Sequence, residues 1–170
     1  GDTTVAVGNA GTILLNSGSA SWSPVSAGGV TDNLYSVHYA DGQYLAVGAG
    51  GTVLTSPDGA SWTAQTTGTA QDLIAVGYGE LTAGGYWIAV GVEGAILVSV
   101  DDGVSWTTRA SGTANSLRAI DFGQNNFLAA GQEGTALSSN NSSEWFSRPL
   151  GTDFALNGMT FFNGVFTLVG

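Results

Sequence analysis

The sequence lacks cysteine and lysine, and its 170 residues include only three arginines and one histidine. Without cysteine there is neither a disulfide framework nor a thiolate metal site, and we predict no metal and no cofactor. Thirteen carboxylates against three arginines give a net charge of −10. Because nucleic acids and anionic membranes bind proteins through Lys and Arg, the composition argues against both as partners.

Long apolar runs are also missing, although 43% of the residues are hydrophobic. No run approaches the roughly 20 residues that cross a bilayer, so we predict no membrane insertion. Runs of four to six apolar residues alternate with Gly, Ser, Thr, Asn and Asp, which is typical of an all-β protein with tight turns. The acidic, lysine-free composition favours a secreted or cell-surface bacterial protein.

One short phrase ending in tryptophan recurs along the chain. Two copies are nearly intact, Ser56–Trp62 and Ser99–Trp106, and two others are eroded. Successive copies are 40, 44 and 39 residues apart, which is the length of a four-stranded propeller blade. The tryptophans that end the four copies are Trp22, Trp62, Trp106 and Trp145.

A second phrase, a short apolar strand ending in glycine, keeps the same period. Its first four glycines precede the repeated tryptophans by 14 or 15 residues. The two phrases together predict an all-β fold, a β-propeller of four-stranded antiparallel blades with about four repeats. The predicted repeats are 1–33, 34–72, 73–116 and 117–155, with a partial repeat over 156–170.

The first strands of the repeats, which begin at Leu34, Leu73, Leu117 and Leu156, separate core from variable positions when aligned. Position one is leucine in every copy, position three is small, position four is aliphatic and position six is aromatic. We predict that these four positions lie in the core. Positions two and five keep no residue type, and we expect them to face the central channel. The candidate channel or rim residues are Tyr35, His38, Arg118 and Asp121, with Glu93 and Glu133 in turns after the second strand.

The repeated phrase has the chemistry of a structural turn. Its Asp can accept hydrogen bonds from N–H groups two or three residues on, its Gly supplies a positive φ, and its Trp covers the hairpin. Asn141 can replace the Asp, whereas Gly18 cannot. The predicted structural residues are Asp58, Gly59, Trp62, Asp101, Gly103, Trp106, Asn141, Trp145 and Trp22.

With its tryptophan, this phrase resembles the Asp-box, or bacterial neuraminidase repeat. The segment from Tyr44 to Trp62 is similar to repeats of bacterial propellers akin to photosystem II assembly factors. The resemblance implies a β-propeller but no particular activity, because the turn recurs in sialidases, glucanases, sorting receptors and assembly factors. Sialidases cluster three arginines on their substrate, and here Arg109 and Arg148 follow outer-strand tryptophans. Only Arg118 is on an inner strand, so the three arginines cannot cluster at one site. We therefore predict no catalytic residues.

The sequence therefore favours a non-enzymatic module for binding, adhesion or assembly. Its expected partner is a protein or glycan, held at the loop face or in the channel. Two alternatives stay open. One is a glycan-acting hydrolase that uses loop carboxylates such as Asp32, Asp72, Asp153, Glu93 and Glu133. The other is a photosystem-type assembly factor.

The register of the repeats also leaves ring closure open. Residues 1–8 and 163–170 occupy the same part of the repeat, so the second strand is present twice. The chain is either a four-bladed ring or a segment of a larger ring that further chain or another copy of itself completes. An unpaired duplicate strand would be an exposed edge, which favours self-association.

Overall fold

The computed structural model describes residues 3–18 and 21–170, and these residues form antiparallel β-sheets joined by short turns. Four single 3-10 turns lie at Asn9–Gly11, Ala49–Gly51, Val92–Gly94 and Gln132–Gly134. The strands are β1 (Thr3–Val7), β2 (Ile13–Ser17), β3 (Ser23–Val25), β4 (Leu34–Ala40), β5 (Gln43–Gly48), β6 (Val53–Ser56), β7 (Thr63–Gln65), β8 (Leu73–Leu81), β9 (Gly84–Gly91), β10 (Ile96–Ser99), β11 (Thr107–Thr108), β12 (Leu117–Gly123), β13 (Asn126–Gly131), β14 (Ala136–Ser139), β15 (Phe146–Ser147), β16 (Gly158–Phe162) and β17 (Val165–Val169).

The strands form five sheets in chain order, which we call sheets I to V. Sheet I contains β1 to β3, sheet II β4 to β7, sheet III β8 to β11, sheet IV β12 to β15 and sheet V β16 and β17. Sheets II, III and IV are therefore complete four-stranded antiparallel units. Their first strands are neighbours, since β4 packs on β8, β8 on β12 and β12 on β16. The sheets are thus arranged around a common axis as propeller blades, as the repeat length predicts.

A separate apolar cluster fills each junction between consecutive sheets from I to IV, and a repeated tryptophan packs in each. Trp62 joins the cluster between sheets I and II, Trp106 packs on that between II and III, and Trp145 joins that between III and IV. The first leucines of the four inner-strand repeats are all buried, as predicted. Each tryptophan therefore stabilises a junction between blades as well as its own hairpin.

In the tryptophan turns the Asp or Asn side chain accepts backbone hydrogen bonds as predicted, although at Asp101 the N–H group is four residues on instead of two or three. Asp58 Oδ1 accepts from the N–H groups of Ala60 and Ser61, both at 2.8 Å. Asp101 Oδ1 accepts from Ser105 N at 2.9 Å, and Asn141 Oδ1 from Glu144 N at 2.9 Å. Backbone N–H groups are thus satisfied locally at the hairpin ends, which supports the structural interpretation of these side chains.

The two glycines of the intact turns have the positive φ that the sequence predicts, 74° at Gly59 and 80° at Gly103. Ser142 takes the same conformation in the fourth turn, with φ 60°. The serine that begins the repeated phrase also has a role in the turn that the sequence did not predict. In sheet II this residue is Ser56, which is buried and whose Oγ accepts from Gly59 N at 2.8 Å. The middle of the first turn, at residues 19–20, lies outside the described residues.

Three predicted details are wrong. Tyr39, at the sixth inner-strand position, is exposed, although its ring packs on that of Tyr44. The last inner strand begins at Gly158 instead of Leu156. The segment from Gly79 to Gly85, which the glycine-rich sequence predicts as the longest turn between a first and a second strand, is mostly strand, since β8 continues to Leu81 and β9 begins at Gly84.

The two terminal sheets bury less than the middle ones. Strand β17 of sheet V alternates between exposed and half-buried residues, whereas β5 of sheet II is almost wholly buried. Within the part of the chain that the structure describes, no extensive packing joins sheet V to sheet I. The described residues also include no helix long and apolar enough to span a membrane.

Candidate functional site

A β-bulge near the start of each complete inner strand positions the candidate site. The pairing registers of β4, β8 and β12 each skip one residue, namely Tyr35, Ile74 and Arg118. A bulged residue is released from the regular ladder, and its side chain is directed away from the packed faces. This explains why the second position of the inner strand keeps no residue type along the repeats.

The released side chains converge on one depression at the propeller axis. Its volume is about 500 Å³. It lies on the face that carries the 3-10 turns and the connections between sheets. We call it the axial depression, and its lining residues are Tyr35, Asp72, Ile74, Val92, Arg118 and Asn157. Sheets II, III and IV therefore each contribute their bulged residue, and Asn157, at the aligned position just before β16, completes the set.

Polar contacts within the axial depression link neighbouring blades. Arg118 Nη1 donates to Asn157 Oδ1 at 2.6 Å, and Tyr35 Oη donates to Asp72 Oδ2 at 3.5 Å. The other Asp72 oxygen accepts from Gly50 N at 2.8 Å, which fixes this carboxylate at the rim. One cation, one anion, an amide and a phenol thus lie beside the apolar Ile74 and Val92. Such a lining suits a ligand with both polar and aliphatic groups.

His38 and Asp121, at the fifth position of their strands, lie between sheets and do not line the axial depression. The His38 ring makes an edge contact with Trp87, with centroids 5.8 Å apart. Burial lowers the pKa of His38, and the Asp121 carboxylate partly opposes this by raising it. Asp121 Oδ2 accepts from Phe161 N at 2.6 Å, so this carboxylate joins sheet IV to sheet V. Within residues 3–18 and 21–170, Arg118 bonds to Asn157 and Asp121 to Phe161, so the two side chains do not pair with each other.

Glu93 and Glu133 occupy equivalent exposed positions in the 3-10 turns, both with positive φ. Glu93 Oε2 accepts from Gln71 Nε2 at 3.0 Å, and Glu133 Oε2 accepts from Asn115 Nδ2 at 3.3 Å. Neither lines the axial depression. Within residues 3–18 and 21–170, no group of three His, Asp or Glu side chains is placed to hold a metal ion.

The variability of the second inner-strand position placed Tyr35, Ile74, Arg118 and Asn157 at the channel, and all four line the axial depression. Of these, only Tyr35 and Arg118 were named as candidate binding residues. Asp72 was considered only as a loop carboxylate, and Val92 had no sequence signal. Trp87, the one tryptophan outside the repeated phrase, is fully buried in the core.

Comparison with solved structures identifies the architecture. YCF48 bound to D1 peptide matches with a TM-score of 0.71 and 17% identity, over 98% of this chain and 56% of that chain. YCF48 from Cyanidioschyzon merolae matches at 0.70 and 17%, over 96% and 57%. The WD40 β-propeller domain of Doa1 matches at 0.66 and 17%, over 98% and 57%. The chain has a β-propeller fold.

No protein-family model and no curated protein matches the chain. The identity to the solved propellers is low, so the likeness shows the fold alone. The chain spans just over half the length of these propellers. The lining of the axial depression is therefore the main evidence on what this propeller binds.

Proposed function

We propose that this propeller is a non-enzymatic binding module that holds an extended segment of a partner protein over its axial depression. The observation that carries the proposal is the convergence on one cavity of three bulged side chains, one from each complete sheet, together with Asn157 at the aligned position before β16. A side chain released from the ladder can change without disturbing the core, which suits recognition.

A peptide segment fits the lining better than a glycan does. Ile74 and Val92 offer aliphatic contact, whereas glycan sites depend on aromatic stacking and dense polar groups. Arg118 and Asp72 could pair with charged groups on a peptide, and Tyr35 combines an apolar ring with a hydroxyl. A solved structural neighbour carries a bound peptide, which supports this choice by analogy.

The same proposal includes secretion or surface attachment, a role in adhesion, and a relationship to Asp-box proteins. The hydrogen bonds made by Asp58 and Asp101 support the Asp-box relationship, and the composition supports an extracellular location. A photosystem-type assembly role is the second candidate, favoured by the neighbour with a bound D1 peptide. The hydrolase alternative predicts turnover of chromogenic glycosides that is lost in Glu93→Gln or Glu133→Gln.

Peptide binding can be tested by panning a phage-displayed random dodecamer library on the immobilised protein. The affinity of a selected, fluorescently labelled peptide is then measured by anisotropy. We expect Tyr35→Ala to weaken binding about tenfold, the loss of one good contact. Tyr39→Ala is the matched control, because Tyr39 is an exposed tyrosine of the same strand outside the depression. Failure to select any peptide, or equal losses in both variants, would contradict the proposal.

A further inference from the structure

Asp72 carries a negative charge that its structural role does not require. Its Oδ1 accepts from Gly50 N at 2.8 Å, in the 3-10 turn of sheet II. Asn33, one repeat earlier, makes the equivalent bond, since its Oδ1 accepts from Ala10 N at 2.9 Å. An amide oxygen therefore suffices to fix the connection between two sheets. The charge of Asp72 is thus free to act on a ligand in the axial depression, which this carboxylate lines.

Arg118, the cation of the axial depression, is also held by a neutral group. Its Nη1 donates to Asn157 Oδ1 at 2.6 Å, and within residues 3–18 and 21–170 its side chain bonds to no carboxylate. A guanidinium has five N–H donors, so others are available to a ligand. The partner of Asp72 Oδ2 is likewise neutral, the Tyr35 hydroxyl at 3.5 Å. The axial depression therefore contains one anion and one cation that the protein leaves unpaired.

The two charges are separated because they belong to different blades. The inner strands follow one another around the axis in the order β4, β8, β12 and β16. Asp72 directly precedes β8 and bonds to a turn of sheet II, whereas Arg118 is the bulged residue of β12. Sheet III supplies the apolar part of the lining, Ile74 and Val92. Along the order of the sheets, the lining thus changes from anionic through apolar to cationic.

We propose that the axial depression selects a partner segment with one basic and one acidic residue on either side of an aliphatic residue. The basic residue pairs with Asp72, the aliphatic one lies on Ile74 and Val92, and the acidic one pairs with Arg118. This inference rests on the proposed function and names the class of segment that the site holds. Hydrogen bonds between charged groups are stronger than those between neutral groups, and a guanidinium can hold a carboxylate with two of them.

The net charge of the protein makes the requirement for an acidic residue a sharp criterion. At −10, the field of the whole chain favours basic ligands and disfavours acidic ones. Net charge alone therefore predicts that removal of a carboxylate from a peptide strengthens binding. A contact with Arg118 predicts the opposite.

The probes are fluorescently labelled synthetic peptides with one lysine and one glutamate, separated by one to four residues drawn from valine and threonine. Binding is measured by anisotropy at about 0.15 M salt, where surface charges more than about 8 Å apart are largely screened. The peptide of this series that binds most tightly is the reference. Replacement of its glutamate by glutamine should weaken binding about tenfold, as should replacement of its lysine by glutamine.

Two charge-neutralising variants of the protein assign each peptide residue to its partner. Asp72→Asn keeps the oxygen that bonds to Gly50, and it should weaken the reference peptide about tenfold but leave the lysine-to-glutamine peptide nearly unchanged. Arg118→Gln keeps a donor for Asn157 and should act in the same way on the glutamate. Each pair of substitutions forms a double-mutant cycle, which isolates the contact from general effects of charge.

Two control variants change the charge of the protein by the same amounts elsewhere. Glu133→Gln removes an exposed carboxylate of the same face that does not line the axial depression. Arg148→Gln places on sheet IV the residue that sheet II has at the equivalent position, where the Gln65 amide bonds to Thr55 Oγ1 at 2.9 Å. Both should bind the reference peptide within about twofold of the unmodified chain. Thermal melts of all four variants establish that each one folds.

Tighter binding of the glutamine peptide that lacks glutamate would overturn the inference, because net charge alone would then decide. Equal losses for Asp72→Asn with charged and neutral peptides would overturn it too, as would an equal loss for Glu133→Gln. If library panning selects peptides that Tyr35→Ala weakens but that carry no such pair of charges, the binding module stands and the selection rule is wrong. If neither library nor synthetic peptides bind, both proposals are wrong.

Discussion

Removal of the repeated tryptophans should lower stability by unequal amounts. The loss should increase with the fraction of each ring that is buried against the neighbouring blade. A buried tryptophan removes about 200 Å² from water, at about 25 cal/mol per Å². Trp62 is 7% exposed and Trp22 46% exposed. The difference in buried area corresponds to about 2 kcal/mol in the free energy of unfolding. Trp62 Nε1 also donates to Gly59 O at 2.9 Å, a bond that the substitution removes.

The measurement is the melting temperature of the Trp→Ala variants, followed by circular dichroism at a concentration where the chain is monomeric. For a domain of this size 1 kcal/mol shifts the midpoint by about 2 to 4 °C, so Trp62→Ala should melt about 4 to 8 °C below Trp22→Ala. Trp145→Ala shows whether the loss depends on packing against the neighbouring blade or on the Asp of the turn. Trp145 is buried, but its turn has Asn141 in place of Asp. A loss like that of Trp62→Ala indicates blade packing as the cause. Equal losses for Trp22→Ala and Trp62→Ala would refute the reasoning.

Two further substitutions test other parts of the fold. The backbone N–H groups of Ser61 and Ala60 hold the pKa of Asp58 below its ordinary value, so its folded pKa lies below its unfolded one. Its stabilisation is present above the unfolded pKa and is lost as the pH falls through the folded pKa. The melting temperature should therefore fall less between pH 5 and pH 2 in Asp58→Asn than in the unmodified chain, and an identical fall would contradict this. Gly48→Ala should destabilise by about 1 to 3 kcal/mol, because the new Cβ would overlap Asn33 O. Gly8→Ala is its control in denaturant unfolding, since at that equivalent position the nearest atom is 3.9 Å away, and equal effects would count against steric overlap.

The repeat architecture could be predicted from sequence because each element is fixed by local chemistry. The turn at Asp58 follows from one carboxylate and one glycine, and the burial of Leu34, Leu73 and Leu117 follows from their repetition. Tyr39 was predicted wrongly because repetition along the sequence does not by itself determine exposure. Its position is aromatic in every repeat, but its exposure depends on which sheets surround it.

The candidate site was only partly predictable, because it depends on relations between blades. Variability marked Tyr35 and Arg118, yet it could not separate them from His38 and Asp121. The difference arises from the bulge, which releases the second residue of the strand and leaves the fifth between sheets.

The bulge has a consequence for how such a protein can change its ligand. Each complete sheet presents one bulged side chain to the axis, so Tyr35, Ile74 and Arg118, together with Asn157 at the aligned position, form a set of four variable positions. A library randomised at these four codons would sample many recognition surfaces on an unchanged scaffold. The scaffold and the binding specificity can therefore change independently of each other. Duplication of a blade would add one more variable position without requiring a new kind of core.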